Sequence, residues 1–170
     1  QITNSFYIDL FKENVIIVNF NGEIFINSDN NFNNKFFNLN KIKSNLSEFN
    51  ISKVLDILVH DETLYVSLMQ DPEENECQYF KIVESSIKLD KFNFKEFYSS
   101  NECGDYIQAG RMFPFIHNSS DGLLVSTADI ISDLPNSKSQ STDSIFGKIL
   151  FINKKSKKSL IYSRGHRNTQ

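Results

Sequence analysis

Several features that would assign a protein to a common functional class are missing from this sequence. It contains no G-x-G-x-x-G, P-loop, H-E-x-x-H or G-x-S-x-G motif, so nicotinamide, nucleotide-phosphate, zinc-protease and serine-hydrolase functions have no support. No apolar run is long enough to span a bilayer, and no signal-peptide pattern is present. The net charge of -3 is too small to indicate a nucleic-acid partner.

Glycine, proline and tryptophan are scarce, with 6 Gly, 3 Pro and no Trp in 170 residues. Asn, Lys, Ile and Phe are abundant instead, a bias that we interpret as codon usage in an AT-rich coding sequence. The length allows one domain with its own core. Because the chain starts at Gln1 without methionine and ends inside a loop motif, we expect residues 1–170 to be part of a larger domain truncated at both termini.

Only two cysteines are present, Cys77 and Cys103. Cys77 precedes the apolar run 79–83, and Cys103 follows the run 92–98. If these runs are antiparallel neighbours, both cysteines lie at one sheet edge. A disulfide there would add roughly 3 kcal/mol to stability and would indicate an oxidising compartment. The alternative, two unrelated small apolar residues, stays open at this point.

Helical periodicity is also missing, because no window shows a convincing i, i+3, i+4, i+7 apolar stripe. The nearest candidate, residues 37–49, is interpreted as a loop. Short apolar runs instead predict four hairpins: 15–20 with 23–27, 54–59 with 63–68, 112–116 with 123–127, and 148–152 with 160–162. Their turns are placed at Asn21-Gly22 as a two-residue type I′ pair, at 60–62, at a turn ending in Asp121-Gly122, and at 154–158.

Regular short strands separated by turns predict an all-β sandwich, barrel or propeller. The hairpins fall into units of roughly 40 to 55 residues, which is close to the size of a propeller blade. The spacing therefore favours a β-propeller.

The most specific pattern lies at the C-terminal end. Ser144-Ile145-Phe146-Gly147-Lys148 opens one strand, and Arg164-Gly165-His166-Arg167-Asn168 follows the next. This arrangement resembles the S-x-x-G-K-I-L-R-I … G-H-R-N-P-Q-G-L segment of soluble sugar dehydrogenases that use pyrroloquinoline quinone (PQQ), the glucose/sorbosone dehydrogenase family. Gly110-Arg111, followed by the strand that begins at Asp121-Gly122, extends the resemblance over about 110–170.

The resemblance implies a six-bladed propeller, of which this chain would hold about three four-stranded blades. It also implies PQQ as cofactor, bound by Arg167 and Asn168, and oxidation of an aldose-type sugar by hydride transfer to the quinone. A guanidinium suits this task because it offers a fork of charged donors to carboxylate and quinone oxygens. Calcium would be bound through residues outside this fragment, and the protein would be periplasmic or secreted.

Two positions depart from the family's pattern. The expected histidine base is replaced by Ile107, which cannot accept a proton, and loss of a positioned base typically costs on the order of 10²–10⁴ in rate. The glutamine and glycines expected near 51–56 are also missing. A non-catalytic propeller of the same lineage, kept as a binding or structural module, is therefore the alternative to an active dehydrogenase.

Other polar clusters favour solvated turns over binding sites. The acidic group Asp71, Glu73, Glu74 and Glu76 matches no calcium loop and is interpreted as a hairpin tip. The basic run 154–158 is interpreted as a solvated turn rather than a nucleic-acid patch. His60 and His117 are interpreted as turn residues rather than displaced bases.

Half a propeller has a physical consequence. Each blade buries its faces against two neighbours, so an open arc exposes two apolar faces and a sheet edge. We therefore expect the remaining blades of its own propeller as a partner, besides the sugar substrate, and poor solubility of the chain in isolation.

Overall fold

The computed structural model describes residues 6–27, 39–71, 77–104, 109–129 and 138–167. These residues form β-strands and one short 3-10 helix, Leu46–Phe49. The strands are β1 (Phe6–Phe11), β2 (Asn14–Asn19), β3 (Ile24–Asn27), β4 (Leu39–Ser44), β5 (Ile51–His60), β6 (Thr63–Gln70), β7 (Gln78–Ser86), β8 (Lys91–Phe92), β9 (Lys95–Gly104), β10 (Met112–His117), β11 (Ser120–Ser126), β12 (Lys148–Asn153) and β13 (Ser159–Arg164). The predicted all-β class is confirmed.

The strands form three sheets, each following the order of the chain. The strand orders are β1-β2-β3-β4-β8 in the first sheet, β5-β6-β7-β9 in the second, and β10-β11-β12-β13 in the third. Neighbouring strands are antiparallel, except that the two-residue β8 adds to the edge of the first sheet parallel to β4. Within the described residues, none of the sheets closes into a barrel.

Two apolar cores lie on opposite faces of the second sheet. On β6, Leu64 and Val66 belong to the core shared with the first sheet, whereas Tyr65 and Met69 belong to the core shared with the third sheet. The side chains of β6 divide between the two cores because successive side chains of a strand point to opposite faces of the sheet. The second sheet is therefore covered on both faces, which explains the nearly continuous apolar sequence of β6.

The first strands of the three sheets lie side by side, since β5 contacts both β1 and β10. Aspartates join them: the Val59 N–H donates to Asp9 Oδ2 at 2.6 Å, and the Met112 N–H donates to Asp56 Oδ2 at 3.0 Å. Among the described strands, each first strand is the edge of its sheet, and an edge strand has backbone groups on one side that no neighbouring strand pairs. The two carboxylates therefore satisfy edge N–H groups while linking one sheet to the next.

All four predicted hairpins are present, but the first turn differs from the prediction. Gly22 N–H donates to Asn19 O at 3.0 Å, and Asn19 N–H donates to Glu23 O at 3.0 Å. The result is a three-residue loop ending on Gly22, whose φ is +83°, and not the predicted two-residue turn. The wider loop is stabilised by the Asn19 side chain, whose Oδ1 accepts the N–H groups of Asn21 and Glu23.

The second and third turns are shorter than predicted. Asp61 and Glu62 have φ values of 47° and 58°, and Asn118 and Ser119 have values of 47° and 61°. Two successive positive φ angles are typical of type I′ turns, whose twist matches that of the flanking strands. Gly122 lies inside β11 rather than in the turn, and the aromatic ring of Phe151 occupies the space beside it.

The prediction of a loop over 37–49 is wrong for its described part. Residues 39–44 form β4, which pairs with β3 so that Ile24 lies opposite Ile42, and the 3-10 helix follows with Leu46 buried. The Asn- and Lys-rich composition hid this strand, because its polar side chains lie on an exposed edge of the first sheet.

Cys77 and Cys103 form a disulfide with a Cα–Cα distance of 5.5 Å. β7 and β9 are antiparallel neighbours, and Tyr79 lies opposite Cys103. The predicted pairing of these two runs is confirmed, and of the two alternatives for the cysteines the disulfide is the one observed. The bridge fixes the end of β9 to the start of β7.

Large apolar side chains are exposed on both outer sheets. On β1, Phe6, Ile8 and Leu10 face away from the second sheet. On the third sheet, Phe113 and Tyr162 are 65% and 46% exposed. The exposure expected of an open stack of sheets is therefore present on both outer faces.

Candidate functional site

The described part of the Gly-His-Arg-Asn motif, Gly165, His166 and Arg167, lies at one end of the third sheet. We call these three residues the Arg167 loop. β10 and β12 begin at this end, and β11 and β13 finish there, because antiparallel neighbours alternate in direction. Arg111, directly before β10, lies at the same end.

Three backbone hydrogen bonds hold the Arg167 loop across the sheet end. Gly165 N–H donates to Ser139 O at 2.9 Å, His166 N–H donates to Gly147 O at 3.0 Å, and Asp129 N–H donates to Arg167 O at 2.9 Å. Asp129 lies three residues beyond the end of β11, so the loop passes from β13 over the start of β12 towards β11. The backbone of Arg167 is therefore carried inward, towards the side of the sheet on which β10 lies.

Two glycines make this path possible. Gly147 and Gly165 have φ values of +66° and +88°, a left-handed region that favours glycine. A methyl group at Gly147 would also collide with the His166 carbonyl oxygen. Gly147, before β12, and Gly165, after β13, are therefore both required for the path of the loop across the sheet end.

The side chains of the loop differ in their roles. His166 Nε2 hydrogen-bonds with Ser163 Oγ at 2.8 Å, so the imidazole is engaged with its own strand. Arg167 is exposed. Arg167, which the resemblance predicts to bind PQQ, is therefore the exposed side chain among the described residues of the loop.

A supporting segment, residues 138–147, lies beneath the loop and is anchored by Lys148. The Lys148 side chain is fully buried, and its Nζ donates to Lys138 O at 2.8 Å and to Phe146 O at 2.5 Å. Burial lowers the pKa of this amine, while the charges of Asp129 and Glu102 oppose the change. Lys148 thus ties together the two ends of the supporting segment.

Glu102, next to the disulfide on β9, reaches the supporting segment from the second sheet. Its carboxylate accepts hydrogen bonds from Lys138 Nζ at 2.7 Å, Ser144 Oγ at 3.0 Å and Ile145 N–H at 2.9 Å. Burial acts to raise the pKa of Glu102, but these bonds and the Lys138 charge outweigh it and hold the pKa below its ordinary value.

Arg111 forms an ion pair with Asp56, at 2.8 Å between Nη1 and Oδ1. The Asp56 side chain is 8% exposed and that of Arg111 57%, so a buried carboxylate orients a guanidinium that remains open to solvent. Burial raises the pKa of Asp56, and the bonds from Met112 N–H and Arg111 counter this only in part.

Gly110 explains why the Gly110-Arg111 pair occurs at this position. Its φ is +120°, and a Cβ there would lie 2.6 Å from Leu55 Cβ. Its carbonyl accepts Ser67 Oγ at 2.8 Å, while Arg111 N–H donates to Ser126 Oγ at 3.1 Å. The glycine allows the chain to approach β5 closely and so brings Arg111 to Asp56.

Two of the sequence-predicted site residues, Ile107 and Asn168, lie outside the described residues. Arg167 is at the sheet end as described above. His60 and His117 are the last residues of β5 and β10, at the opposite end from Arg167. The prediction that both are solvated turn residues is only partly right, because both side chains make contacts. His60 Nε2 lies 2.9 Å from Asp61 Oδ2, and the His117 ring packs on Phe151 and Tyr162.

The prediction of a solvated basic turn is wrong for two of its lysines. Lys154 bridges Asp61 and Asp121 at 3.1 and 3.0 Å. Lys157 pairs with Glu84 at 3.0 Å and lies over the Phe97 ring at 3.8 Å. These lysines link the third sheet to the second.

No metal site is formed by the residues that the structure describes. Of the acidic cluster, Asp71 accepts a hydrogen bond from Gln78 Nε2 at 2.8 Å, and Glu73, Glu74 and Glu76 lie outside the described residues. In the same part of the chain, no helix has the length and apolar character to cross a membrane.

Three residues that shape this site were missed from the sequence: Asp56, Glu102 and Lys148. Asp56 and Lys148 each carry a charge within an apolar strand sequence, and such a charge requires a partner when it is buried. The sequence therefore contained a signal for Asp56 and Lys148. Glu102 gave none, because its partners come from another sheet.

Comparison with known proteins adds little to this geometry. No protein-family model matches the chain, and no curated protein matches it. A chain in a solved structure of S. cerevisiae Dbp5 bound to Nup159, Gle1, IP6 and ADP is similar, with 10% sequence identity and a TM-score of 0.39. The similarity covers 96% of this chain and 41% of that chain. A likeness at this level supports no argument about fold or function.

Proposed function

We propose that this chain is an arc of a β-propeller of the PQQ-dependent sugar dehydrogenase type, with a ligand site at the end of the third sheet. Three successive meanders support the propeller. In each, the strands follow chain order, and the first strands lie together. Propeller blades have this arrangement, with the first strand nearest the central channel.

The outer faces support further blades as the partner. Phe6, Ile8 and Leu10 on one side and Phe113 and Tyr162 on the other are exposed, although the equivalent faces of the second sheet are buried. Blades that continue the same stacking would cover both faces. The complete ring would have six blades, as the resemblance implies.

The observation that carries the functional proposal is the exposed guanidinium of Arg167 on a loop fixed by three backbone hydrogen bonds. Arg111, held by Asp56, offers a second guanidinium at the same sheet end. Two guanidinium groups at one sheet end fit the carboxylates and quinone oxygens of PQQ. When bound, PQQ would supply the hydride acceptor for oxidation of an aldose-type sugar.

A non-catalytic binding module is the second candidate, and one observation favours it. Ile107 occupies the position at which the resembled family has its histidine base, and an aliphatic side chain cannot take the proton of a sugar hydroxyl. The same guanidinium groups would then bind an anionic ligand without turnover.

One experiment separates these readings. The intact polypeptide that contains these residues is incubated with PQQ and calcium, and PQQ binding and aldose-dependent dye reduction are measured. Binding with reduction supports the dehydrogenase, and binding without reduction supports the module. We expect Arg167→Ala to weaken PQQ binding about tenfold or more, and Arg164→Ala, on the preceding strand, to serve as the matched control. Absence of PQQ binding, or equal effects of the two variants, would overturn the proposal.

The disulfide supports a periplasmic or secreted location, which we propose on the ground that disulfides persist in oxidising compartments. Two observations together would contradict this location. The first is fluorescence from a fusion protein that matures only in the cytosol, and the second is free thiols at Cys77 and Cys103 in protein isolated under thiol-trapping conditions.

A further inference from the structure

The described hydrogen bonds of the Glu102 carboxylate all run from the second sheet to the third. Glu102 lies on β9 of the second sheet, yet its carboxylate binds Lys138, Ser144 and Ile145 of the supporting segment. The neighbouring residue, Cys103, is tied to Cys77, so the backbone from which Glu102 reaches out is covalently fixed to β7. One carboxylate thus connects a fixed strand end to a segment of the next sheet.

The supporting segment in turn holds the Arg167 loop. The segment provides the carbonyl groups of Ser139 and Gly147 that accept the N–H groups of Gly165 and His166. The third bond of the loop runs through Asp129, whose N–H donates to Arg167 O and whose carboxylate accepts the Lys138 N–H at 3.2 Å. Each backbone bond of the loop therefore ends on the segment that Glu102 binds, or on a residue bonded to that segment.

We propose that Glu102 is the positioning residue of the ligand site: through the supporting segment it fixes the Arg167 loop, and hence the exposed guanidinium, without touching the ligand. The Glu102 carboxylate accepts hydrogen bonds from an ammonium group, a hydroxyl group and a backbone N–H. Such charge-assisted hydrogen bonds are stronger than bonds between neutral groups. Loss of the carboxylate charge weakens all three anchors together. The loop is then free to move relative to Arg111, which is anchored separately by Asp56.

The first test uses backbone amide exchange and does not depend on any ligand. In the intact protein, Glu102→Gln is compared with Glu96→Gln. Glu96 is on the same strand but binds Lys81 of the adjacent β7, at 2.7 Å, within its own sheet. We expect exchange of the Gly165, His166 and Asp129 amides to accelerate about tenfold or more in Glu102→Gln, and to stay at the wild-type rate in Glu96→Gln.

Core amides in the second sheet separate local loosening from general instability. The Val66 and Ile82 amides, on β6 and β7, should exchange at wild-type rates in both variants. Unchanged exchange at Gly165, His166 and Asp129 would overturn the proposal. So would an equal acceleration at these three amides and in the core, because Glu102 would then support only overall stability.

The second test measures affinity and rests on the proposed function. PQQ is titrated into wild type, Glu102→Gln, Arg167→Ala and the double variant. If Glu102 acts through the Arg167 loop, Glu102→Gln weakens binding about tenfold in the wild-type background and hardly at all beside Arg167→Ala, since coupled residues are not additive. Additive effects would overturn the positioning role. If wild type does not bind PQQ, the proposed function fails, and amide exchange alone decides the role of Glu102.

Discussion

Asp56 links β5 of the second sheet to the start of the third sheet. It accepts both the buried Met112 N–H and the Arg111 guanidinium. Asp56→Ala leaves that N–H without an acceptor, which should cost about 1–3 kcal/mol. Asp56→Asn keeps one acceptor oxygen and should cost about half as much. Urea unfolding of the intact protein measures both, and equal losses for the two variants would contradict this account.

Glu102 gives the site a predictable acid response. Its folded-state pKa lies below the ordinary value of 4.5, so the stability that its charge contributes is complete above that pH. This stability is lost as the pH falls through the folded-state pKa. We expect the difference in unfolding free energy between wild type and Glu102→Gln to be constant at neutral pH and to shrink below about pH 4.5.

Unfolding measured at a series of pH values checks this, with Glu96→Gln as the control for removal of one negative charge. A difference between wild type and Glu102→Gln that grows on acidification would show that the carboxylate is destabilised, not stabilised, by its surroundings.

At the scale of elements, the disulfide controls how firmly the end of β9 is held. Its closed loop spans a separation of 26 residues, for which the chain-entropy estimate is about 3 kcal/mol. Cys77→Ser with Cys103→Ser should lower the unfolding free energy of the intact protein by about that amount. Unfolding curves with and without reductant measure the effect. Reductant should shift wild type towards the double variant and leave the double variant unchanged.

Strand positions could be predicted from the sequence better than turns. Strand sequences either alternate between apolar and polar residues, when one face is buried, or are continuously apolar, as in 148–152, when both faces are buried. The turn at Asp61-Glu62 carries no glycine or asparagine, and its left-handed geometry is imposed by the twist of the strands it joins. β4 was missed because Leu39 and Ile42 are its only apolar residues and the other four are polar.

The site could be predicted only in part for a similar reason. Arg167 belongs to a continuous motif and is found by reading the sequence. Its supports come from distant parts of the chain: Glu102 is on another sheet, and Asp129 is joined to Arg167 through a backbone bond. Contacts between sheets leave no periodic signature, so no local pattern indicated them.

At the scale of the whole molecule, the two uncovered faces allow a test in which the same two substitutions are favourable in the isolated chain and unfavourable in the intact protein. Phe113 is 65% and Ile8 55% exposed, each on one of the two faces, and large exposed apolar side chains promote association. In the 170-residue chain expressed alone, Phe113→Ser with Ile8→Ser should therefore reduce self-association and binding of a hydrophobic dye. In the complete ring that we propose, both side chains are buried, and each loss should cost about 3 kcal/mol.

Light scattering of the isolated chain and chemical unfolding of the intact protein supply the two measurements. Phe6→Ser is the matched variant on the first sheet, and Lys95→Ser, an exposed residue on the edge strand β9, controls for surface substitution. A propeller arc requires the opposite signs, because the same apolar atoms face water in the arc and a neighbouring blade in the ring. If the substitutions left the intact protein as stable as wild type, no further sheet would cover these faces, and the ring would be excluded whatever the ligand at the Arg167 loop.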